Sequence, residues 1–216
     1  SKVGITLNLN TAIPASDSEY DKKSCDFYDV QFNRLYLDPL YNQKYPKLLF
    51  ESLLQKNLIK QPDLTFINKG DLETIATKTD FLGVNYYSRG VIRSNEVDES
   101  INNKPNVNLG PKTDFGWEVY PEGLYDLLKR LYVDYNVQDI IITENGCSYS
   151  DGPDENKTVN DTKRIEYHKS HVEQIQIAVN DGIPCTGYFA WSFMDNFEWA
   201  EGYSQRFGLI WVDFET

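Results

Sequence analysis

The stretch Asp139-Ile140-Ile141-Ile142-Thr143-Glu144-Asn145-Gly146 indicates the fold more clearly than any other part of the chain. Its three consecutive isoleucines form a continuous β-branched run, as expected for a parallel strand that is covered on both faces. Glu144 stands at the carboxyl end of this strand and is followed by Asn-Gly, a pair that favours a turn. In a βα barrel, active sites form at that end of the strands. Glu144 is therefore a candidate catalytic residue.

Three further apolar runs predict strands at residues 3–9, 80–88 and 186–193. Helix-like sequence lies between the runs, and in residues 121–135 the leucines recur at the spacing that lines one face of a helix. Strands that alternate with helices predict an α/β fold with a parallel sheet or barrel. A chain of 216 residues with 40% hydrophobic composition is long enough for one domain, which we expect to span residues 1–216.

A second helix is predicted over residues 161–179, ahead of the last strand. Asn160 or Asp161 provides its N-cap, and Gly182 follows its carboxyl end. Its apolar stripe is expected to consist of Ile165, Val172, Ile175 and Val179.

Other segments are assigned from local signals. A helix over residues 25–37 is predicted to stop at Asp38-Pro39, because the residue before a proline is pushed out of the α region. Residues 46–55 are predicted to form a shorter helix. The stretch at 95–114 is rich in Asn, Pro and Lys, which predicts a long loop.

Composition excludes several classes of partner. A net charge of -12 repels nucleic acid and anionic membranes, and no apolar run approaches the length of a membrane span. Cys25, Cys147 and Cys185 are odd in number and lack metal-ligand spacing, so we interpret them as free thiols, which favours a reducing compartment such as the cytoplasm. His168 and His171 lack a third ligand, and we expect neither a metal nor another cofactor.

A second group of candidate residues follows the last predicted strand. Trp191, Glu198 and Trp199 place two indoles and a carboxylate beyond that strand end. Aromatic faces stack on the C–H faces of sugar rings and carboxylates accept hydrogen bonds from hydroxyls, so this pattern is typical of a carbohydrate site. The alternative for Trp191, and for Trp117, is an ordinary core position, since tryptophan is commonly largely buried. Their concentration at predicted strand ends favours the sugar site.

Together, seven segments resemble glycoside hydrolase family 1, the β-glucosidases and their relatives. They lie at residues 4–8, 37–41, 80–87, 116–123, 143–146, 159–161 and 197–203. So many matches in order are far more specific than any one of them. The resemblance implies the C-terminal half of a (β/α)8 TIM barrel, made of strands five to eight with their crossover helices. It also implies a retaining β-glycosidase that acts on a β-glucoside or a related sugar.

The resemblance also implies roles for individual residues. Glu144 resembles the nucleophile that forms the glycosyl-enzyme intermediate, Tyr87 the tyrosine whose hydroxyl contacts that carboxylate, and Asn85 its polar neighbour. The remaining candidates resemble sugar-binding residues: Trp191 as the platform beneath the ring, Glu198 and Trp199 as the pair that grips the glycone hydroxyls, Phe207 in the glycone pocket and Trp117 on the aglycone side. One departure is His168, which occupies a position that is usually apolar in the family.

The expected active site is incomplete. A retaining glycosidase needs two carboxyl groups about 5 Å apart, and the family's acid/base glutamate lies in an Asn-Glu-Pro motif that would precede Val3. We therefore expect the chain alone to be inactive, and to pair with a complementary N-terminal half or to self-associate through unpaired edge strands. The alternative is a non-catalytic half barrel that binds sugars weakly through Trp191, Glu198 and Trp199.

Overall fold

The computed structural model describes residues 1–60, 67–95 and 107–215. These residues form two compact units. The first comprises Ser1–Asn8, Phe81–Arg89 and the chain from Leu109 onward, and the second comprises Leu9–Asp80 and Gly90–Asn108. The candidate site residues all belong to the first unit.

Strands and helices alternate along the described residues. The strands are β1 (Gly4–Asn8), β2 (Ala12–Pro14), β3 (Phe81–Asn85), β4 (Gly90–Ile92), β5 (Ile140–Asn145) and β6 (Cys185–Ala190). The helices are α1 (Glu19–Asp29), α2 (Leu35–Asn42), α3 (Lys47–Gln55), α4 (Asp71–Ile75), α5 (Glu122–Tyr135) and α6 (Thr162–Asn180), with a π-helical segment, Val30–Arg34, between α1 and α2.

The first unit is built on a parallel sheet with the strand order β1-β3-β5-β6. Its register places Leu82 of β3 opposite Ile140 of β5, and Ile142 of β5 opposite Tyr188 of β6. All four predicted strands are thus confirmed, with ends that differ from the predicted ones by one to three residues. Because the strands are parallel, their carboxyl ends meet at one edge of the sheet.

The predicted helix over residues 121–135 is confirmed as α5. Leu124, Leu127, Leu128 and Leu131 are fully buried, as the helical spacing of the leucines predicts. Burying each of these side chains contributes about 1.5 to 3 kcal/mol to folding. Ile140 and Ile142 of β5 are also fully buried, as expected for a strand covered on both faces.

The predicted apolar stripe of α6 is wrong, although the helix itself is confirmed. Ile165 is 64% exposed, and Val172 and Val179 are exposed as well. The buried residues of α6 are Arg164, Tyr167, His171 and Ala178. Polar side chains occupy a core position when their hydrogen bonds are satisfied, and the guanidinium of Arg164 donates to the carbonyls of Cys147, Tyr149 and Arg206. The apolar pattern alone therefore selected the wrong face.

The ends of α6 follow the predicted signals only in part. Asp161 is the N-cap residue, but its carboxylate accepts from Arg164 Nε at 2.7 Å instead of capping the helix. Gly182 adopts a φ of 82° just beyond the carboxyl end, a conformation that glycine adopts without strain.

In the second unit, the predicted helix stop at Asp38-Pro39 is wrong. Helix α2 runs through Pro39 and ends at Asn42, before Gln43 at a φ of 51°. Leu37, Asp38 and Pro39 are all buried, and we attribute the continued helix to this packing, which offsets the single backbone hydrogen bond that a proline removes. The predicted short helix over residues 46–55 is confirmed as α3, whereas the parallel pair β2 and β4 was not predicted.

Residues 96–106 of the loop predicted at 95–114 lie outside the described residues. The described remainder of this stretch forms neither a helix nor a named strand, and Lys112 makes an isolated bridge to Glu118. Within the described residues, no helix combines the length and the apolar character that crossing a membrane requires.

Candidate active site

Glu144 lies on β5, one residue before that strand ends. In the register of the sheet it lies opposite Asn85, the last residue of β3. The hydroxyl of Thr143 donates a hydrogen bond to Asn85 Oδ1 at 2.7 Å. The carboxyl ends of two neighbouring parallel strands thus bring Asn85 and Glu144 side by side.

Tyr87 lies two residues beyond Asn85 and contacts Glu144 directly. Its hydroxyl donates to Glu144 Oε2 at 2.5 Å. Burial, together with this hydrogen bond and the negative charges of Glu144 and Glu198, raises the pKa of Tyr87 well above its ordinary value. The phenol therefore stays protonated near neutral pH and donates its proton to the carboxylate.

Four aromatic rings gather around this hydrogen bond. The Tyr87 ring lies 5.1 Å from Trp117 and 6.3 Å from Phe207, measured between ring centroids. Phe115, which the sequence analysis missed, lies 4.3 Å from Trp117 and 5.9 Å from Phe207. Such tilted and edge-on pairs are favourable beyond their buried area. They form one aromatic cluster around the ring of Tyr87, whose hydroxyl contacts the carboxylate.

The residues that follow β6 form a second part of the site. Trp191 Nε1 donates to Glu198 Oε1 at 3.3 Å. Glu198 is held in a tight turn, because its backbone N–H and carbonyl both pair with those of Gly202 at 2.8 Å. The negative charge of Glu198 contributes to the raised pKa of Tyr87. Trp199 differs from Trp191 and Glu198 in being 95% exposed.

The turn predicted at Asn145-Gly146 is not found in the structure. Asn145 belongs to β5, and neither Asn145 nor Gly146 has a positive φ, so the Asn-Gly pair does not form the expected turn. The glycine is required for another reason: a Cβ at position 146 would lie 1.8 Å from the carbonyl oxygen of Trp191. Gly146 thus allows β5 and the chain after β6 to approach closely.

Arg89 and Glu118 form a buried ion pair that the sequence analysis also missed. Arg89 Nε and Nη2 donate to the two carboxylate oxygens of Glu118, each at 2.8 Å. Although burial by itself raises the pKa of Glu118, the hydrogen bonds from Arg89 and from the N–H of Gly110 hold it below its ordinary value. The pair joins the segment after Tyr87 to the segment that carries Trp117. The sequence signal that could have indicated this pair is the opposite charge of two residues that stand close to Tyr87 and to Trp117.

The described part of the chain holds no group of three or more His, Cys, Asp or Glu side chains placed to bind a metal ion. His168 and His171 bond to tyrosine oxygens instead. Nδ1 of His168 lies 2.7 Å from the Tyr188 hydroxyl, and Nδ1 of His171 lies 2.7 Å from the carbonyl of Tyr167.

Comparison with known proteins relates this geometry to one family. The family model described as glycosyl hydrolase family 1 matches residues 1–216. The chain is 41% identical over 220 residues to a 1,4-beta-D-glucan glucohydrolase of Thermotoga neapolitana, and covers 49% of that protein. It is 40% identical to beta-glucosidase A of Thermotoga maritima, and covers 47% of it. In both comparisons all of this chain is matched, and it spans about half the length of these relatives.

Solved structures agree with the sequence comparison. A β-glucosidase from Exiguobacterium marinum superposes with a TM-score of 0.87 at 35% identity, over 100% of this chain and 48% of the other. The family 1 β-glucosidase from Thermotoga maritima in complex with isofagomine lactam gives a TM-score of 0.82 at 40% identity, over 99% of this chain and 46% of the other.

Proposed function

The chain belongs to glycosyl hydrolase family 1, and from this premise we propose that it forms the nucleophile-bearing part of a retaining β-glucosidase-like enzyme. The observation that carries the proposal is the hydrogen bond of 2.5 Å from the Tyr87 hydroxyl to Glu144 at the carboxyl end of a parallel strand. The family fold is a (β/α)8 barrel, and we assign β1, β3, β5 and β6 to its strands five to eight.

In the proposed reaction, Glu144 attacks the anomeric carbon of a β-glucoside. A bond forms between a carboxylate oxygen and that carbon while the bond to the leaving oxygen breaks, and a covalent glycosyl-enzyme intermediate results. Water then displaces Glu144 from the anomeric carbon and releases the sugar. Because Tyr87 donates to Oε2, we assign the attack to Oε1.

Tyr87 has two tasks in this proposal. Its hydrogen bond fixes the orientation of the carboxylate before the attack. The carboxylate then loses little orientational freedom on reaching the transition state, which lowers the reaction barrier. When Glu144 leaves the anomeric carbon in the second step, the same phenol stabilises the negative charge that returns to the carboxylate. A protonated phenol is needed for both tasks, and the raised pKa of Tyr87 ensures it.

Sugar binding is assigned to the aromatic and polar groups beside Glu144. Trp191 is the proposed platform beneath the ring, and its hydrogen bond to Glu198 orients a carboxylate that accepts from the glycone hydroxyls. Phe207 closes the glycone pocket, Trp117 lies on the aglycone side, and Trp199 completes the grip on the glycone. Solved structures of the Thermotoga maritima relative in complex with isofagomine lactam and deoxynojirimycin support a sugar-like ligand.

The second carboxyl group is proposed to lie in the part of the family barrel that this chain does not span. A retaining enzyme requires an acid/base about 5 Å from the nucleophile, and the relatives are about twice as long as this chain. We therefore propose that the active form contains this chain together with the complementary N-terminal half.

Azide rescue tests the role of Glu144. We expect Glu144→Ala, assayed with the complementary half and 2,4-dinitrophenyl β-glucoside, to lose hydrolysis and to yield α-glucosyl azide when azide is added. Azide would replace the missing carboxylate, so one inversion would convert the β-linked substrate into an α-linked product. The matched control is Glu201→Gln, an exposed carboxylate in the same turn as Glu198. Formation of β-glucosyl azide, or no azide product, would contradict the assignment.

A further inference from the structure

Asn145, the residue after Glu144, is fully buried and joins three strand ends. Its Nδ2 donates to the carbonyl of Tyr86 at 2.8 Å, and its own carbonyl accepts from the N–H of Trp191 at 2.9 Å. The ends of β3, β5 and β6 are thus tied together directly behind the carboxylate.

Tyr167 of α6 extends these contacts to Tyr87. Its hydroxyl accepts from Asn145 Nδ2 and donates to the carbonyl of Tyr87, both at 3.1 Å. Burial raises the pKa of Tyr167 well above its ordinary value, so the hydroxyl keeps the proton that it donates. Because β3 ends at Asn85, Tyr87 lies beyond the ladder of the strand. Tyr167 therefore supplies an anchor for the main chain of Tyr87 that the sheet does not.

The directions of these hydrogen bonds follow from one group that can only accept, the carbonyl of Tyr86. Since the Tyr86 carbonyl can only accept, the amide of Asn145 is fixed, and its Oδ1 accepts from the Tyr188 hydroxyl at 2.9 Å. The hydroxyl proton of Tyr188 is used in that hydrogen bond. His168 Nδ1, which lies 2.7 Å from the hydroxyl oxygen of Tyr188, must therefore donate to that oxygen. Burial lowers the pKa of His168 to about 4. Its buried Nε2 has no hydrogen-bond partner among the described residues, as expected for a neutral ring with its proton on Nδ1.

We propose that Tyr167 and Asn145 are positioning residues of the active site, which hold the main chain of Tyr87 so that its hydroxyl stays on the carboxylate of Glu144. Tyr87 is then held at both ends, by Tyr167 at its carbonyl and by Glu144 at its hydroxyl. The chain of donors runs from α6 through β6 and β5 to the segment after β3. The consequence for catalysis rests on the proposed function of Glu144.

Tyr167→Phe tests this role, because it removes one hydroxyl and keeps the ring that stacks on His171. The probe is 2,4-dinitrophenyl 2-deoxy-2-fluoro-β-glucoside, whose leaving group needs no proton, so the release of dinitrophenolate reports the attack by Glu144. The assay uses the full chain with the complementary half. We expect the inactivation rate constant to fall about tenfold to a hundredfold, as for misplaced reacting groups, while the binding constant of the probe changes less than about threefold.

Tyr86→Phe is the matched control. It also removes a tyrosine hydroxyl that donates to a backbone carbonyl, that of Tyr120 at 2.7 Å, and it leaves the carbonyl of Tyr86 for Asn145. Both variants should lose similar stability, but Tyr86→Phe should keep the inactivation rate within about threefold of the parent. Equal losses of rate in the two variants, or an unchanged rate in Tyr167→Phe, would overturn the positioning role.

Crystal structures of the parent chain and of Tyr167→Phe give a readout that needs no activity. We expect the Tyr87 hydroxyl to move beyond hydrogen-bonding distance of Glu144 in the variant, from 2.5 Å in the parent. An unchanged distance would overturn the proposal. If the parent is not labelled at Glu144, the proposed function fails, and these structures alone decide the positioning role.

Discussion

Among single residues, the proposed chemistry depends most on the contact between Tyr87 and Glu144. Tyr87→Phe should leave the ring contacts with Trp117 and Phe207 intact and remove only the donor to Oε2. A hydrogen bond to a charged group contributes about 1.5 to 3 kcal/mol, so we expect kcat to fall about tenfold to a hundredfold while KM changes little. Steady-state kinetics of the assembled enzyme measures this. Tyr125→Phe, which removes a surface hydroxyl bonded to Asp181, is the control, and a fully active Tyr87→Phe would refute the role.

The two histidines, His168 and His171, predict how stability depends on pH. Burial lowers the pKa of each to about 4, from an ordinary value of 6.5. The unfolded chain therefore binds more protons than the folded chain between these values. The stability that the two neutral rings contribute is fully present above pH 6.5 and is lost as the pH falls towards 4. We expect the free energy of unfolding to fall by about 2 kcal/mol per histidine between pH 7 and pH 5.

Urea unfolding at pH 7 and pH 5 measures this dependence. The chain contains no other histidine, so His168→Leu should remove about half of the change. A free energy of unfolding that is the same at both pH values would contradict the buried, neutral state of the two rings.

At the element scale, the close approach of β5 to the chain after β6 depends on Gly146. A Cβ at this position would collide with the carbonyl oxygen of Trp191 at 1.8 Å, and neither backbone can shift without disturbing Glu144 or Trp191. We expect Gly146→Ala to destabilise the chain by more than about 3 kcal/mol, as steric clashes in a core do.

Gly152→Ala is the matched control for that substitution. Its Cβ would meet Trp211 Nε1 at 3.5 Å, an ordinary contact, and its φ is not positive. The melting temperature should therefore change little in Gly152→Ala and fall sharply in Gly146→Ala. Equal melting temperatures would show that the sheet accommodates the extra atom.

The helices and strands differ in how well the sequence predicts them. The strand β5 and the helix α5 bury apolar side chains at regular spacing, so their patterns identify them. Helix α6 buries Arg164, Tyr167 and His171 through hydrogen bonds, and hydrophobic periodicity carries no information on such bonds. The same limit explains why Arg89 and Glu118 were missed: the pair forms across 29 positions of the chain.

At the scale of the whole molecule, the exposed apolar side chains of the first unit predict association. In the described sheet β1 and β6 are the outer strands, and Val3, Phe189 and Phe193 beside them are each more than 60% exposed. Outer strands offer unpaired backbone groups to another chain, and exposed apolar side chains at these strands favour burial in such a contact. The net charge of -12 opposes pairing of like chains, but screening over about 8 Å at physiological salt weakens this repulsion.

Light scattering coupled to size exclusion tests the association. We expect the chain alone to form dimers or larger species, and to form a complex of defined stoichiometry when the complementary half is added. A sharp peak with the mass of one chain, together with cooperative unfolding, would show that the chain is self-sufficient.

Covalent trapping tests directly whether Glu144 is the nucleophile. The chain and the complementary half are treated with a 2-deoxy-2-fluoro-β-glucoside, digested, and analysed by mass spectrometry. We predict that the label lies on Glu144. With a probe whose leaving group must be protonated, we expect labelling to be slower by a factor of about 10² to 10⁴ without the complementary half, which is proposed to provide the acid/base. A label on any other carboxylate, or none in the assembled enzyme, would contradict the assignment of Glu144 as the nucleophile.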